Sequence, residues 1–259
     1  MRGELPELTS LGVIDAGDHA ADFTWDDLVA GEPLDLKAAA AQGDPSDLVT
    51  IIYTSGTTGP PKGVMISNAN VMFLVEKVRE LILIEEYVGK RIVSYLPMAH
   101  IAERSVSHYL QATEGVEVTT CPNPSEIGTY TREVKPHVMF GVPRVWEKIN
   151  AGVMGAISAD PDKAKQFGEA VEAAGPLSLK KAWGTATEEE LATLSFLDDV
   201  AFRGVRELLG LEECQVAITG AAPIPADLLI WFNAIGVPLS EIYGMSENAG
   251  AMTLSLIHI

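Results

Sequence analysis

The sequence has few cysteines and a shortage of positive charge, and each shortage excludes a class of protein. Only two of its 259 residues are cysteines, Cys121 and Cys214, which is too few for a disulfide framework and is typical of a reducing cytosol. We interpret both as small buried hydrophobic side chains. Lys and Arg number 18 against 36 Asp and Glu, so the formal net charge is −18. A surface built to neutralise nucleic-acid phosphates is therefore excluded.

The sequence also lacks long apolar runs. No stretch approaches the roughly 20 apolar residues that a membrane-spanning helix needs, and the first residues, MRGELPELTS, contain no apolar signal core. These absences predict a cytoplasmic protein and leave peripheral contact with the inner membrane face open. With 47% hydrophobic residues, the chain is still able to bury a large core.

Short apolar runs alternate with helical patterns, which predicts an α/β fold with largely parallel sheets flanked by helices. Strands are predicted at 49–54, 64–67, 91–96, 116–121, 138–142, 215–219 and 239–243. Helices are predicted at about 70–85, from a capping-box spacing at 187–190 towards 209, and at 227–235. Residues 151–190 indicate a helical insertion with a solvated face, and we assign Trp146 and Trp231 to the core.

The stretch YTSGTTGPPKG, residues 53–63, surrounds one lysine with small, hydroxyl-bearing and turn-forming residues directly after an apolar run. Glycines let backbone N–H groups approach a ligand closely, while the hydroxyls and Lys62 add donors and positive charge. This combination suits a polyphosphate, although a small polar hairpin turn remains the alternative. The Walker A motif does not fit, because its spacing differs, Gly63 replaces the required Ser or Thr, and a strand pattern follows.

Three stretches in order resemble the signature motifs of the adenylate-forming superfamily, which includes acyl-CoA synthetases, adenylation domains of peptide synthetases, and luciferases. They are YTSGTTGPPKG (53–63), TGAAPIP (219–225) and YGMSE (243–247). SYLPMAHIAER (94–104) and FGVPRVWEKI (140–149) further resemble the long-chain fatty acyl-CoA synthetase branch. The resemblance implies a partial N-terminal domain of the adenylate-forming fold.

The resemblance also implies roles for individual residues. Lys62 and the loop before it would surround the β- and γ-phosphates, Tyr243 would stack on adenine, and Glu247 with the Thr57 hydroxyl would hold Mg²⁺. His100 would lie beside the reacting carboxylate, so Lys62, Glu247 and His100 are the implied catalytic residues. The implied ATP-binding residues are Thr54, Ser55, Gly56, Thr57, Thr58, Gly59, Lys62, Gly220, Ala221, Ala222, Tyr243, Gly244, Met245 and Ser246.

The reaction implied by the resemblance joins a fatty acid to coenzyme A. The carboxylate would attack the α-phosphorus of ATP to give an acyl-adenylate and pyrophosphate, and the thiol of coenzyme A would then displace AMP. ATP, fatty acid and coenzyme A are thus the expected partners and Mg²⁺ the expected cofactor. Two alternatives stay open: an enzyme that adenylates aryl or amino acids, and a non-catalytic nucleotide-binding module.

Members of this superfamily are longer than this sequence. The resemblance implies a ribose-binding aspartate, a hinge and a small C-terminal domain with a catalytic lysine, none of which is found here. We therefore expect residues 1–47 to be a connecting region and 48–259 an incomplete AMP-binding core with little activity alone. The final residues 254–259 do not resemble the superfamily's continuation.

Overall fold

The computed structural model describes residues 6–14, 17, 21–55, 59–81 and 84–255, which form two compact units, Met1–Asp44 and Pro45–Ile259. The first unit contains the short parallel strands β1 (Gly12–Val13) and β2 (Phe23–Thr24) and the helices α1 (Trp25–Val29) and α2 (Leu36–Ala40). A capping box begins α1: Thr24 N–H donates to the Asp27 carboxylate at 2.8 Å, which lowers the pKa of Asp27.

A six-stranded sheet organises the second unit. Its strands are β5 (Arg91–Ser94), β6 (Glu117–Thr120), β7 (Val138–Gly141), β8 (Val216–Thr219), β9 (Leu239–Met245) and β10 (Gly250–Ser255). Their order is β10-β9-β8-β7-β5-β6, and every neighbouring pair is parallel except β9 with β10. The predicted α/β fold with a largely parallel sheet is confirmed. Strand β10 was not predicted; residues 256–259 lie outside the described residues.

The first two predicted strands of this unit form a separate antiparallel hairpin. Strands β3 (Leu48–Thr54) and β4 (Lys62–Ser67) pair with each other, with Tyr53 opposite Gly63 and Thr54 opposite Lys62. One face of the hairpin is buried through Ile52 and Ile66. The other face leaves apolar side chains in solvent: Val49, Ile51, Tyr53 and Met65 are all exposed. The alternation follows from the two-residue period of a strand.

Helices cover both faces of the sheet. They are α3 (Asn68–Leu81), α4 (Ile101–Glu103), α5 (Leu110–Glu114), α6 (Ile127–Val134), α7 (Pro143–Ile157), α8 (Pro161–Ala182), α9 (Glu188–Leu197), α10 (Arg203–Leu209) and α11 (Ala226–Ala234). A π-helical stretch, Arg104–Tyr109, joins α4 to α5, and another, Asp198–Phe202, joins α9 to α10. No helix within the described ranges is long and apolar enough to cross a bilayer.

Several predicted helix limits were wrong. The helix predicted at about 70–85 begins at Asn68, and residues 84–85 are not helical. The predicted insertion is helical, but its first helix begins earlier, at Pro143, and α8 buries Phe167 and Ala174. Helices α4 to α6 were not predicted.

Two buried clusters lie on opposite faces of the sheet, because successive strand residues point to opposite sides. One cluster contains Met139 with Trp146, and the other contains Val138. Trp146 is fully buried as predicted, and its ring packs edge-on against Phe232 with 5.0 Å between centroids. Trp231 is partly buried against the same cluster.

The two thiols lie in apolar surroundings. Cys121 is buried within a cluster that includes Val93 and Tyr95, and Cys214 packs at the margin of the cluster around Trp146. Burial raises the pKa of Cys214 to about 12, so its sulfur stays a neutral thiol at physiological pH. This agrees with the interpretation of both cysteines as small hydrophobic side chains.

The capping box predicted at Thr187 is confirmed, and we expect Thr187→Ala to lower the free energy of unfolding by about 1 kcal/mol. Thr187 Oγ1 accepts from the N–H of Glu190 at 3.2 Å, and the Glu190 carboxylate accepts from the N–H of Thr187 at 2.9 Å. Urea denaturation measures the loss. Thr193→Ala is the control, because that hydroxyl only bonds back to Glu189 within α9. Equal losses in both variants would contradict the capping explanation.

Candidate active site

A cavity of about 590 Å³ opens beside the carboxyl ends of the parallel strands. Open α/β sheets bind ligands at this edge, because loops that leave the strands there surround a crevice. The predicted site residues that line the cavity are Thr54, Ser55, Lys62, His100, Ala221, Gly244, Met245, Ser246 and Glu247. Lys62 and Glu247 therefore share one cleft, although they are far apart in sequence.

The hairpin turn positions the first part of this site. Thr54 ends β3 and lies opposite Lys62, the first residue of β4, so the two strands form a hairpin, and Thr54, Ser55 and Lys62 at its end line the cavity. Gly59 has a φ of +95°, which favours glycine. Gly56, Thr57 and Thr58 lie outside the described residues.

A tight return between β9 and β10 positions the second part. A 3₁₀ turn, Ser246–Asn248, carries Glu247, and Ala249 follows with a φ of +59°. The two strands approach so closely that a Cβ on Gly244 would lie 1.8 Å from the carbonyl oxygen of Gly250. This contact places the Glu247 turn at the cavity.

Four predicted residues are described but do not line the cavity: Gly59, Gly220, Ala222 and Tyr243. Gly220 is nevertheless tightly enclosed, since a Cβ there would meet Ile242 Cγ2 at 2.7 Å. Tyr243 lies within β9 and is 59% exposed. Ala221, which does line the cavity, adopts a left-handed φ of +69° that non-glycine residues rarely adopt, and no sequence signal predicted it.

An apolar part of the cavity was missed by the sequence prediction. One wall is the sheet, through Phe140 on β7 and Ile218 on β8, and the other wall is helical, through α3 and the segment 101–114. The helical residues that line it are Leu74, Val75, Val78, Ile101, Ala102, Val106 and Leu110. The helical spacing of Leu74, Val75 and Val78 predicted a buried face of α3 but could not distinguish a core from the wall of a cavity, and the segment 101–114 was not predicted to be helical.

Arg104 connects two walls of the site. Its Nε donates to the carbonyl oxygen of Met98, just before His100, and its Nη1 donates to Thr50 Oγ1 on β3. One guanidinium thereby fixes the segment that carries His100 against the strand that leads into the loop. Sequence reasoning gave Arg104 no role, because the two partners come from distant parts of the chain.

Buried polar groups lie beneath the site. The Tyr95 hydroxyl donates to the carbonyl oxygen of Phe140 at 2.9 Å, and burial, followed by the nearby Glu103 carboxylate, raises the pKa of Tyr95. Glu103 itself is only 1% exposed, and within the described part of the chain its Oε1 has no hydrogen-bond partner. Neither Tyr95 nor Glu103 lines the cavity, so we assign them a structural role.

The polar end of the cavity has one acidic and one basic long side chain. Among the described residues that line it, Glu247 is the one carboxylate and Lys62 the one lysine. The described ranges contain no group of three or more His, Cys, Asp or Glu side chains arranged to hold a metal.

Residues 3–258 match the family described as AMP-binding enzyme. The chain belongs to this family. The AMP-binding chain is 38% identical over 229 residues to the fatty-acid–CoA ligase fadD11 of Mycobacterium tuberculosis, covering 87% of this chain and 40% of the relative. It is 36% identical over 246 residues to the long-chain-fatty-acid–CoA ligase ACSBG2 of Xenopus laevis, covering 90% of this chain and 33% of the relative. The AMP-binding chain thus spans less than half of either relative.

Solved structures confirm the fold of the AMP-binding chain. The N-terminal domain of FACL13 from Mycobacterium tuberculosis, with an inhibitor bound, matches with a TM-score of 0.54 at 21% identity, covering 90% of this chain and 46% of that one. The adenylation domain of a carboxylate reductase from Mycobacterium chelonae matches with a TM-score of 0.55 at 20% identity, covering 90% and 32%. The predicted resemblance to an N-terminal domain of the adenylate-forming fold is confirmed.

Proposed function

We propose that this chain supplies the ATP- and acid-binding part of a long-chain fatty acid–CoA ligase that releases AMP. One observation carries the proposal: a single cavity has a polar end, with Ser55, Lys62 and Glu247, and a long apolar part between the sheet and the helices. A carboxylic acid with an apolar tail and a polyphosphate together have this distribution of polarity. The fatty-acid–CoA ligases among its relatives support the same assignment.

The polar end would bind the phosphates. Backbone N–H groups of the hairpin loop and the hydroxyls of Thr54, Ser55 and Thr58 would donate to phosphate oxygens, and Lys62 would add a positive charge. The carboxylate and ATP are both anions, so they repel each other. Donors that are already in place lower the free-energy cost of bringing the two together. Ser246 would reach an α-phosphate oxygen, and Tyr243 would stack on adenine beside Gly220, Ala221 and Ala222.

Mg²⁺ fits the donors at this end. Proteins usually hold Mg²⁺ through one or two carboxylates together with phosphate oxygens and water, and the Glu247 carboxylate lines the cavity. We assign Glu247 as one ligand and the Thr57 hydroxyl as another. When bound, the ion neutralises charge on the phosphates.

The reaction then proceeds in two steps. A carboxylate oxygen bonds to the α-phosphorus while the bond to the β-phosphate oxygen breaks, and pyrophosphate leaves. The sulfur of coenzyme A would next bond to the acyl carbon and give its proton to solvent, while the bond between that carbon and the phosphate oxygen of AMP breaks and AMP leaves. His100, which lines the cavity at the start of α4, would lie near the reacting carboxylate.

We further propose the division into a connecting region, 1–47, and an AMP-binding core, 48–259. We also propose a cytoplasmic protein that contacts the inner membrane face only peripherally. Flotation with phospholipid vesicles tests the last point, since a peripheral protein would be released by salt or dilution.

Acid-dependent exchange between ATP and labelled pyrophosphate tests the function, with the product of the complete gene. We expect long-chain fatty acids to support the fastest exchange, because only they fill the apolar part of the cavity. Faster exchange with aryl or amino acids would favour another acid-adenylating enzyme. ATP binding without exchange for any acid would identify a non-catalytic module.

A further inference from the structure

The cavity runs from one edge of the sheet towards the other. Strands β5 and β6 are parallel, so the helical segment 101–114 that connects them must return from the carboxyl edge to the amino edge. Ile101 therefore lies at the polar end, and Leu110, near the other end of this helical segment, lies deeper. Val138, the first residue of β7, lines the same deep part.

Contacts around Gly250 place the middle of α3 near the polar groups. A Cβ on Gly250 would lie 3.3 Å from Leu74 Cδ2 and 3.7 Å from Ile101 Cγ1. Leu74 and Ile101 thus flank the return between β9 and β10. Val78 follows Leu74 by about one helical turn on the same face, towards the end of α3 that carries Arg79. Because Arg79 pairs with Glu114 at the end of α5, near the amino edge of the sheet, Val78 lies deeper.

Tyr87 lies at this deep end. It immediately precedes the amino edge of the sheet, lines the cavity, and is only 6% exposed. Burial, followed by the Glu114 carboxylate, raises the pKa of its phenol, which keeps the hydroxyl neutral. Beyond it, Arg79 Nε and Glu114 Oε2 lie 3.4 Å apart and join the ends of α3 and α5 at the surface.

We propose that the aromatic ring of Tyr87 forms the floor of the acyl cavity and sets the longest acyl chain that the site accepts. This inference rests on the proposed function and adds a specificity-determining residue to it. A growing acyl chain gains affinity with each buried methylene, about fourfold per group, until its methyl end meets the ring. A longer chain must then bend or displace a buried aromatic side chain, which a close-packed interior resists.

The ring of Tyr87, and not its hydroxyl, limits the chain length, because the methyl end of the acyl chain meets an apolar surface there. Tyr87→Phe is therefore expected to keep the wild-type length preference. Tyr87→Ala removes the ring and extends the cavity towards Arg79 and Glu114, so longer acids should gain about tenfold or more in affinity. Val78→Phe adds a ring above the floor and should shift the preference to shorter acids.

Displacement of a fluorescent fatty acid tests the inference, with even-numbered saturated acids from octanoate to eicosanoate as competitors. The reverse effect of Val78→Phe keeps the test decisive if Tyr87→Ala does not fold. Phe73→Ala, on the same helix but 64% exposed and outside the cavity, is the matched control and should leave the profile unchanged.

The outcomes separate the two proposals. Opposite shifts in Tyr87→Ala and Val78→Phe, with Tyr87→Phe and Phe73→Ala unchanged, would support the floor at Tyr87. A wild-type preference that neither Tyr87→Ala nor Val78→Phe shifts would overturn this inference and leave the proposed function standing. Wild-type protein that binds no fatty acid, while it still binds ATP, would overturn both.

Discussion

Lys62→Ala is expected to lower acid-dependent ATP–pyrophosphate exchange by about tenfold or more. Lys62 supplies the one lysine ammonium among the described residues that line the cavity, and the reaction brings a carboxylate and a polyphosphate together there. A donor already placed in a water-poor site stabilises developing negative charge strongly, and loss of one such group typically costs 10²–10³-fold in rate. Glu247→Gln, which removes a proposed Mg²⁺ ligand, is expected to lower exchange similarly.

The measurement compares exchange rates of the complete gene product at saturating ATP and acid. Lys163→Ala is the control for the change in charge, because Lys163 is 77% exposed on α8 and pairs loosely with Asp160 at 3.7 Å. Glu169→Gln serves in the same way for Glu247→Gln, since Glu169 lies 3.9 Å from Lys165 on the exposed face of α8. If Lys62→Ala leaves the exchange rate unchanged, Lys62 does not bind the phosphates.

Gly244→Ala is expected to lower the free energy of unfolding by about 2 kcal/mol or more and to abolish nucleotide binding. The added Cβ would lie 1.8 Å from the oxygen and 2.7 Å from the carbon of the Gly250 carbonyl. Both are backbone atoms, so a side-chain rotation cannot relieve the overlap. Strand β9 would have to separate from β10, and the turn that carries Glu247 would move with it.

Urea denaturation and the fluorescence of a labelled ATP analogue measure the two effects. Gly152→Ala is the matched control: Gly152 lies within α7, and a Cβ there meets no atom within 4 Å. Alanine in a helix interior is favoured over glycine by up to about 1 kcal/mol, so this variant should be slightly more stable. A Gly244→Ala protein with wild-type stability and nucleotide affinity would mean that β9 and β10 do not approach as described.

The sequence predicted the parallel strands well because each is a short apolar run between turn residues. A hairpin turn at 53–63 was offered only as an alternative, and the sequence could not predict that β3 and β4 form a sheet of their own, since the pattern within a strand does not identify the strand it pairs with. Strand β10 was missed because Gly250 and Ala251 carry little side chain. Helix α4 was missed because His100 precedes it without a side-chain cap and a π-helical stretch follows.

The polar end of the site was predictable, since Lys62 and Glu247 belong to motifs whose residue types match phosphate and metal chemistry. Their individual roles remain predictions. The apolar end was not predictable, because Leu74 and Val78 show the same helical spacing as side chains that pack in a solid core. Tyr87 carried no sequence signal, and its place follows only from the course of the cavity.

The unburied face of the β3–β4 hairpin affects how this polypeptide behaves when handled by itself. Within the described residues the hairpin pairs with no further strand, so its two outer edges are unpaired. The side chains of Val49, Ile51, Tyr53 and Met65 form an exposed apolar strip beside these edges. Such surfaces promote self-association, and the associated fraction increases with protein concentration. Dilute samples, or a charged substitution at Met65, are therefore the conditions under which the nucleotide affinity of a monomer becomes measurable.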